Sequence, residues 1–400
     1  MTVTPIPSRA IADTDHAGIP TFVQTDRTLR VKIIDACGMT CLFCHNEGTP
    51  VVADNRRGAS LGYRDRGPSG RVSIYLGTNG AGFLPRTVAP EETFTSVVVA
   101  LRDALAVTEV HLTGGEPTLH PQVAQIVRAV RGVGLRVCMT SNGENGARVL
   151  PYCGQEGLDR VNFSVFGMTA EELVQVQHQR YADVVRAQRK IEALRDSVRT
   201  ALACGIKASA NIVVPNDDHA PRVRRLLAEH SVDLAVRLLN SLAEGQESID
   251  AIERILADLS AVPIARYVTA GASGSRTAYR LPDGRVVMFK QIRPVRLPKT
   301  CAGCRFNNET DCEEGFYGVR LYRDSTGGYP VGVCIQRMDL CLPVEEFLGS
   351  DLCREILALR DTEYRQLTRQ FSTPDSKGSS KCPPSTRPRS STSTPPPHRN

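Results

Sequence analysis

Three cysteines stand close together in the first eighth of the chain: Cys37, Cys41 and Cys44, in a C-x3-C-x2-C pattern. Thiolates at short, fixed spacings hold iron–sulfur clusters, and three of them leave one iron of a four-iron cluster open to another ligand. Zinc is the main rival, because His45 could complete a four-ligand site. An incidental grouping is the third possibility. The spacing favours a cluster with an open, catalytic position.

A second set lies in the last quarter of the chain: Cys301, Cys304, Cys312 and Cys334. Four thiolates in one region match a closed four-cysteine site, holding either a 4Fe-4S cluster or zinc. The competing interpretation makes Cys312 or Cys334 an ordinary core cysteine, since buried free cysteine is common. Cys341 and Cys353 fall near a predicted C-terminal helix, and we expect them in the core.

Alternating strands and helices must position these cysteines. Short β-branched segments predict strands over 29–35, 108–113, 135–140, 160–166, 206–214 and 232–239. Helical spacing and end signals predict helices over 90–105, 121–132, 169–204 and 249–260. This alternation is typical of parallel βα units, and about six units form a partial rather than a closed barrel. The cysteine loop and a Gly-Gly-Glu-Pro run at 114–117 both follow strands, where active sites of such folds lie.

The cysteine motif, followed at this distance by Gly-Gly-Glu-Pro, resembles the radical S-adenosylmethionine (radical SAM) superfamily. The resemblance implies an α/β fold, a partial (βα)6 barrel with a small C-terminal auxiliary iron–sulfur module. It implies a 4Fe-4S cluster on the three cysteines, and reductive cleavage of SAM to a 5′-deoxyadenosyl radical that abstracts hydrogen from a substrate. The SAM contacts that it implies are Phe43, Gly114, Gly115, Glu116, Ser141, Asn142 and Ser164.

Within the superfamily, the chain is similar to the GTP 3′,8-cyclases of molybdenum-cofactor biosynthesis, which carry a twitch/SPASM-like auxiliary module. The resemblance implies four substrate-binding residues: Arg30, His111, Thr140 and Arg305. The chain departs from that family at His111, where an arginine is expected, and at Arg305, which stands in place of an arginine-rich stretch. Cys312 is an additional cysteine.

These departures lead us to expect a nucleotide, nucleoside or sugar intermediate of specialised, antibiotic-type metabolism as the substrate. A GTP 3′,8-cyclase-like enzyme and a peptide-modifying radical SAM maturase are the alternatives. A non-enzymatic zinc-binding protein is a further class, but it leaves Gly-Gly-Glu-Pro without an explanation. The expected cofactors are the SAM-binding 4Fe-4S cluster, SAM and a second 4Fe-4S cluster, and the electron donor is a protein such as flavodoxin or ferredoxin.

The composition limits location and partners. The net charge of +6 is mildly basic, and the chain has no tryptophan, which weakens a base-stacking role, so we expect no nucleic-acid partner. The first twenty residues lack the apolar stretch of a secretory signal, and no run of roughly 18 apolar residues suggests a membrane span. We therefore expect a cytoplasmic protein, in which clustered cysteines more often bind metal than pair.

The predicted organisation has four parts: a loosely ordered leader over 1–27, the barrel over 28–262, the auxiliary module over 263–370 and a disordered tail over 371–400. Within the module, segments 277–281 and 285–289 predict a hairpin closed by an Asp-Gly turn. The Gly- and Arg-rich stretch 45–90 is long for a connection; it either binds an anionic substrate or is a solvated insertion.

Overall fold

The structure is a computed structural model. It describes residues 18–34, 36–41, 87–177, 182–308, 312, 314–316, 318–324, 326–334, 337 and 340–371. Phe43, Cys44, His45, most of the stretch 45–90 and the predicted tail after Phe371 lie outside these residues.

The described strands form a single sheet. They are β1 (Thr21–Thr25), β2 (Thr28–Ile34), β3 (Glu109–Gly114), β4 (Arg136–Ser141), β5 (Arg160–Ser164), β6 (Lys207–Val214), β7 (Ala235–Asn240), β8 (Val262–Ala270), β9 (Gly274–Arg280), β10 (Val286–Ile292), β11 (Val319–Leu321), β12 (Pro330–Gly332) and β13 (Leu342–Pro343). Their order is β1-β8-β9-β10-β7-β6-β5-β4-β3-β2-β11-β12-β13, with β2 to β7 all parallel. The six-strand partial barrel is confirmed.

Helices connect the parallel strands and close the C-terminal end. They are α1 (Glu92–Leu105), α2 (Val123–Gly132), α3 (Gly146–Gln155), α4 (Ala170–Gln175), α5 (Val184–Ala203), α6 (Ala220–Glu229), α7 (Gln246–Asp258), α8 (Val344–Gly349) and α9 (Asp351–Phe371). None of these described helices has the length and apolar character needed to cross a membrane.

Strand alternation separates an apolar core from a polar barrel interior. In β2, Leu29, Val31 and Ile33 are fully buried in the hydrophobic cluster that contains the inner faces of the helices, such as Phe94 of α1. Arg30, on the other face of the strand, lines a cavity inside the barrel. Burial of apolar side chains such as Leu29, Val31 and Ile33 contributes about 1.5–3 kcal/mol each. The outer face thus stabilises the fold and the inner face is left for chemistry.

The segment predicted as a loosely ordered leader contains a strand. Residues 21–25 form β1, which pairs in parallel with β8, from Thr21 opposite Arg266 to Thr25 opposite Ala270. A five-residue segment without strong periodicity gives little local signal, and its pairing partner lies more than 240 residues away. The predicted start of ordered structure at residue 28 is therefore wrong.

Helix α3 was not predicted, because its sequence contains Pro151 and two glycines. Its packing on α5 supplies what local propensity lacks. Ser197 of α5 donates its hydroxyl to the carbonyl of Gly143 at 2.6 Å and accepts the N–H of Ala147 at 3.0 Å, which caps the first turn. A Cβ on Gly146 would lie 2.6 Å from the Ser197 Oγ, so this contact requires glycine.

The predicted hairpin is present, and the C-terminal strands extend the barrel sheet at both edges. β9 and β10 pair antiparallel around a turn in which Gly284 has a φ of +85°. β10 then pairs in parallel with β7, and β11 pairs in parallel with β2, where Arg320 lies opposite Arg30. The region predicted as a separate module therefore shares the barrel's hydrogen-bonded sheet.

Candidate functional site

The cysteine loop after β2 lies against the Gly-Gly-Glu-Pro turn after β3. The N–H of Gly115 donates to the carbonyl of Ile34 at 2.7 Å, and the N–H of Glu116 donates to the carbonyl of Ala36 at 2.8 Å. A Cβ on Gly114 would lie 2.4 Å from the Ile34 carbonyl oxygen. Gly114 therefore permits the close approach of two strand ends, which brings the two motifs together.

Glu116 is a buried carboxylate at this junction, with 1% of its surface exposed. Its Oε1 accepts from the hydroxyls of Ser141 and Thr118, both at 2.7 Å, and its Oε2 accepts the N–H of Asn142 at 2.6 Å. Burial raises the pKa of Glu116, and the hydrogen bonds from Thr118 and Asn142 counteract that rise. The carboxylate thus ties the end of β3 to the end of β4. Direct contact of Glu116 and Ser141 with SAM stays a prediction.

The two described cysteines of the loop receive N–H donors at sulfur. Asn142 Nδ2 lies 3.5 Å from Cys37 Sγ, and Gln177 Nε2 lies 3.3 Å from Cys41 Sγ. Metal-bound cysteine is a thiolate, which accepts such hydrogen bonds. These two cysteines therefore fit a cluster site. Cys44 lies outside the described residues.

An ion pair supports the same loop from α5. Lys190 Nζ contacts Glu144 Oε1, and Glu144 Oε2 accepts the N–H of Gly38 at 2.9 Å. A Cβ on Gly38 would overlap the Glu144 carboxylate. Burial lowers the pKa of Lys190, and the nearby Cys37 and Glu116 counteract that change. The ion pair with Glu144 places this lysine beside the cysteine loop.

A cavity of about 420 Å³ occupies the barrel interior. Its charged or titratable lining residues are Asp26, Arg27, Arg30, Glu109, His111, Arg136, Arg160, Arg237, Arg276 and Lys290. Seven cations and two carboxylates leave a strong positive excess in a partly enclosed space. A low-dielectric wall strengthens such a field, so the cavity favours an anionic ligand.

Burial and neighbouring cations disfavour the charged forms of three basic residues in this cavity. Burial, together with Arg160, lowers the pKa of Arg237 to about 10, and burial with Arg30 lowers the pKa of Lys290 to about 8. Burial and then Arg160 also lower the pKa of Arg276. The Arg276 Nε is buried and has no hydrogen-bond partner. An anion placed among these groups would relieve the repulsion and supply the missing acceptor.

Glu109, His111 and Cys138 bring three possible metal-binding atoms within 4.8 Å of one another in the barrel wall. Arg160 donates to two of them, to Glu109 Oε1 at 2.7 Å and to Cys138 Sγ at 3.3 Å. Burial raises the pKa of the Cys138 thiol to about 11. A guanidinium already supplies the positive charge here, so we assign these residues to the polar wall of the cavity and not to a metal.

His111 presents a buried ring nitrogen to the cavity. Its Nε2 has no hydrogen-bond partner and lies 3.6 Å from Glu109 Oε1. Burial, with Arg30 and Arg160 nearby, holds the pKa of His111 well below its ordinary value. The ring is therefore neutral near pH 7, whereas the arginine expected at this position would be charged.

Two of the four predicted substrate contacts line the cavity, Arg30 and His111. Thr140 is half-buried in β4 but is not part of the described lining, and Arg305 is exposed, with its guanidinium 4.5 Å from the ring centre of Phe306. Both stay predictions. Ser164 is half-buried at the end of β5, and Phe43 lies outside the described residues.

Six basic residues of the cavity were missed from the sequence: Arg27, Arg136, Arg160, Arg237, Arg276 and Lys290. The signal available in the sequence was the alternation of polar and apolar residues along the strands. Strands of parallel sheets covered on both faces are usually continuously apolar. Here β5 reads Arg-Val-Asn-Phe-Ser and β6 reads Lys-Ala-Ser-Ala-Asn. A polar residue at every second position predicts a polar barrel interior.

The second cysteine set converges on a smaller cavity of about 20 Å³. Its lining includes Cys301, Cys304, Cys312 and Cys334, together with apolar residues such as Phe306. Burial raises the pKa of Cys301 to about 11, and the neighbouring Cys312 and Cys334 raise it further. These thiols disfavour each other's ionisation, and a shared metal ion would stabilise their thiolate forms. Cys353 is core, as expected, with 3% of its surface exposed, whereas Cys341 is only half-buried.

The chain is similar to several known proteins. A probable GTP 3′,8-cyclase of Metallosphaera sedula is 27% identical over 301 residues, covering 74% of this chain and 81% of its own. A probable GTP 3′,8-cyclase of Sulfurisphaera tokodaii is 24% identical over 345 residues, covering 84% of this chain and 90% of its own. The crystal structure of Streptococcus suis SuiB bound to S-adenosylmethionine is 13% identical with a TM-score of 0.44, covering 88% of this chain and 70% of that chain.

Residues 31–228 match the radical SAM superfamily, and this range contains the cysteine motif, the Gly-Gly-Glu-Pro turn and strands β3 to β6. The chain belongs to the radical SAM superfamily, is an enzyme, and is similar to the GTP 3′,8-cyclases.

Proposed function

We propose that this radical SAM enzyme acts on a nucleotide held in the cationic cavity of the barrel. The loop cluster and SAM, when bound, supply a 5′-deoxyadenosyl radical that abstracts a hydrogen atom. The protein's contribution is to place one C–H bond of the substrate near that radical and to exclude water. SAM contacts at Gly115, Asn142 and Ser164 are part of the proposal.

The excess of positive charge in the cavity carries this proposal. Seven cationic side chains from β2, β4, β5, β7, β9, β10 and the segment before β2 face a volume of about 420 Å³. Small-molecule sites commonly measure about 300–1,000 Å³, so a nucleotide fits this space. Arginine binds phosphate oxygens through a planar fork of donors, and five of these seven cations are arginines of the strands.

A nucleotide other than GTP, in specialised metabolism, is the substrate that we propose. The named relatives are GTP 3′,8-cyclases, and GTP is the alternative substrate. His111, a neutral ring, stands where that family has an arginine, and Arg305 lies on the ring of Phe306. Fewer fixed charges at these two positions favour a ligand with a different arrangement of phosphates.

Ligand binding to the anaerobically reconstituted protein tests the substrate class. We expect GTP, other nucleoside triphosphates and nucleoside diphosphate sugars to bind at least about tenfold more tightly than guanosine, because one charge-assisted phosphate contact contributes about 1.5–3 kcal/mol. Each binder is then incubated with SAM and dithionite, and deuterium transfer from labelled substrate into 5′-deoxyadenosine identifies the true substrate. Binding of guanosine as tight as that of every nucleotide tested would contradict the proposal.

The affinity for a nucleotide should depend on pH through Lys290. Its pKa is about 8 in the free protein, and a bound anion would raise it. The charged form binds, so affinity should be highest below about pH 8 and fall by up to about tenfold per unit above it. Arg30, Glu314, Arg237 and Arg276 are the charged groups that act on Lys290, and the pKa of Arg237, at about 10, lies above that of Lys290.

Equilibrium binding between pH 7.5 and 9.5 measures this dependence, since nucleotide phosphates, with a second pKa of about 6, keep a constant charge in that range. Lys290→Met serves as the control and should bind more weakly, with a flat profile. A flat profile in the unaltered protein would show that Lys290 does not face the ligand.

We also propose that Cys301, Cys304, Cys312 and Cys334 hold a second 4Fe-4S cluster. Four thiolates close such a cluster, so its role is electron transfer or structure. The reconstituted protein should contain about eight irons per chain, falling to about four in a quadruple Cys→Ser variant that keeps the SAM-sensitive EPR signal. Zinc in place of the second four irons would contradict the cluster assignment.

The remaining proposals concern the surroundings of the enzyme. Reductive cleavage of SAM needs an external one-electron donor, and a flavodoxin or ferredoxin supplies electrons of this kind. We place the enzyme in the cytoplasm, where reduced thiols and iron–sulfur clusters persist.

A further inference from the structure

One side chain outside both sequence motifs clamps the cysteine loop. Gln177 lies just after α4, and a β-bridge joins it to Cys41. Its Oε1 accepts the N–H of Thr40 at 2.7 Å, and its Nε2 donates to Cys41 Sγ at 3.3 Å. Both ends of one amide are therefore used on two consecutive loop residues.

The loop is held at a second place, three residues earlier. Gly38 donates its N–H to Glu144, which is paired with Lys190 of α5. The hydrogen bond of Asn142 to Cys37 Sγ is longer, at 3.5 Å, than that of Gln177 to Cys41. Among the described residues, Gln177 therefore makes the shorter side-chain N–H contact with a sulfur of this motif.

A donor at a ligating sulfur changes the redox behaviour of a cluster. Hydrogen bonds to the sulfurs, net charge and solvent exposure set the reduction potential. Reduction adds one electron and makes the sulfurs more negative, so an N–H donor stabilises the reduced state more than the oxidised state. Thr40 is 9% and Cys41 6% exposed, and limited access of water strengthens this electrostatic effect.

We propose that Gln177 is a positioning residue of the loop cluster: it fixes Cys41 and raises the reduction potential of the cluster through its N–H···S hydrogen bond. The reaction concerned is the transfer of one electron from the external donor to the cluster. The inference rests on the loop cluster on Cys37, Cys41 and Cys44.

Two substitutions separate the two contacts. Gln177→Glu keeps an acceptor for the Thr40 N–H but removes the donor to Cys41 Sγ and adds a negative charge. Gln177→Leu removes both contacts without adding charge. We expect a more negative potential in both variants, with the larger shift in Gln177→Glu and the lower iron content in Gln177→Leu.

The midpoint potential is read from the SAM-sensitive EPR signal during a titration of the full-length, reconstituted protein with dithionite and redox dyes. Gln246→Glu is the charge-matched control, because Gln246 is exposed at the start of α7 and bonds to Asp250. It should leave the potential unchanged. An assembled cluster in Gln177→Glu with the potential of the Gln246→Glu control would overturn the proposal.

A measurement on the unaltered sequence covers the case in which neither variant assembles a cluster. Protein labelled with ¹⁵N in glutamine side chains should show a ¹⁵N hyperfine coupling on the reduced loop cluster in ENDOR spectra. Absence of that coupling would refute the hydrogen bond. Absence of any SAM-sensitive signal in the unaltered protein would instead contradict the loop cluster itself, so the two failures differ.

Discussion

Replacing Cys37, Cys41 and Cys44 together by alanine is expected to remove about four irons per chain and to reduce SAM cleavage to its uncatalysed background. The open iron is the binding position that three thiolates create, and no other described cysteine lies in this loop. The SAM-sensitive EPR signal should disappear, while irons held by the second cysteine set remain. Iron content, EPR and the formation of 5′-deoxyadenosine are the measurements.

Cys204→Ala is the matched control for that experiment. Cys204 is exposed at the end of α5 and belongs to neither cysteine set. It should keep the full iron content and full SAM cleavage. Persistent cleavage in the triple variant, or zinc in place of iron in the unaltered protein, would exclude the three cysteines as the catalytic set.

Replacing Arg237 by glutamine is expected to weaken nucleotide binding by about 10- to 150-fold, because a charge-assisted hydrogen bond contributes about 1.5–3 kcal/mol. Arg237 lines the cavity, and it donates to Asn162 Oδ1 at 2.9 Å, a bond that glutamine can retain only in part. Burial and the neighbouring Arg160 disfavour the charged form of Arg237 and lower its pKa to about 10.

The same substitution should leave the free protein equally stable or more stable, since it removes a buried, repelled cation. A variant that binds the nucleotide more weakly but is equally or more stable has lost affinity without losing structure. Thermal unfolding and equilibrium binding are measured side by side. Arg254→Gln is the control, because Arg254 lies on the surface of α7, paired with Asp217, and should alter neither quantity strongly. Unchanged affinity in Arg237→Gln would contradict a nucleotide site in the cavity.

Local patterns in the sequence predicted the scaffold and the centre of the site well. The six parallel strands and the hairpin around Gly284 follow from β-branched segments and turn residues, whose preferences act over a few neighbours. The C-x3-C-x2-C spacing and Gly-Gly-Glu-Pro indicated the superfamily because ligand spacing is itself a local property. Helix α3 was missed because Pro151 lowers local propensity, and packing of Ser197 against its first turn compensates.

The chemistry of the cavity and the support of the cysteine loop were decided by tertiary structure. Arg30, Arg160, Arg237 and Lys290 come from four strands, spread over 260 positions of the chain, and only the sheet order and barrel curvature bring their alternate faces together. Gln177 reaches Cys41 across 136 positions. A periodic pattern specifies which face of a strand is polar, whereas the strand pairing specifies which residues share that face, and pairing is a long-range property of the whole chain.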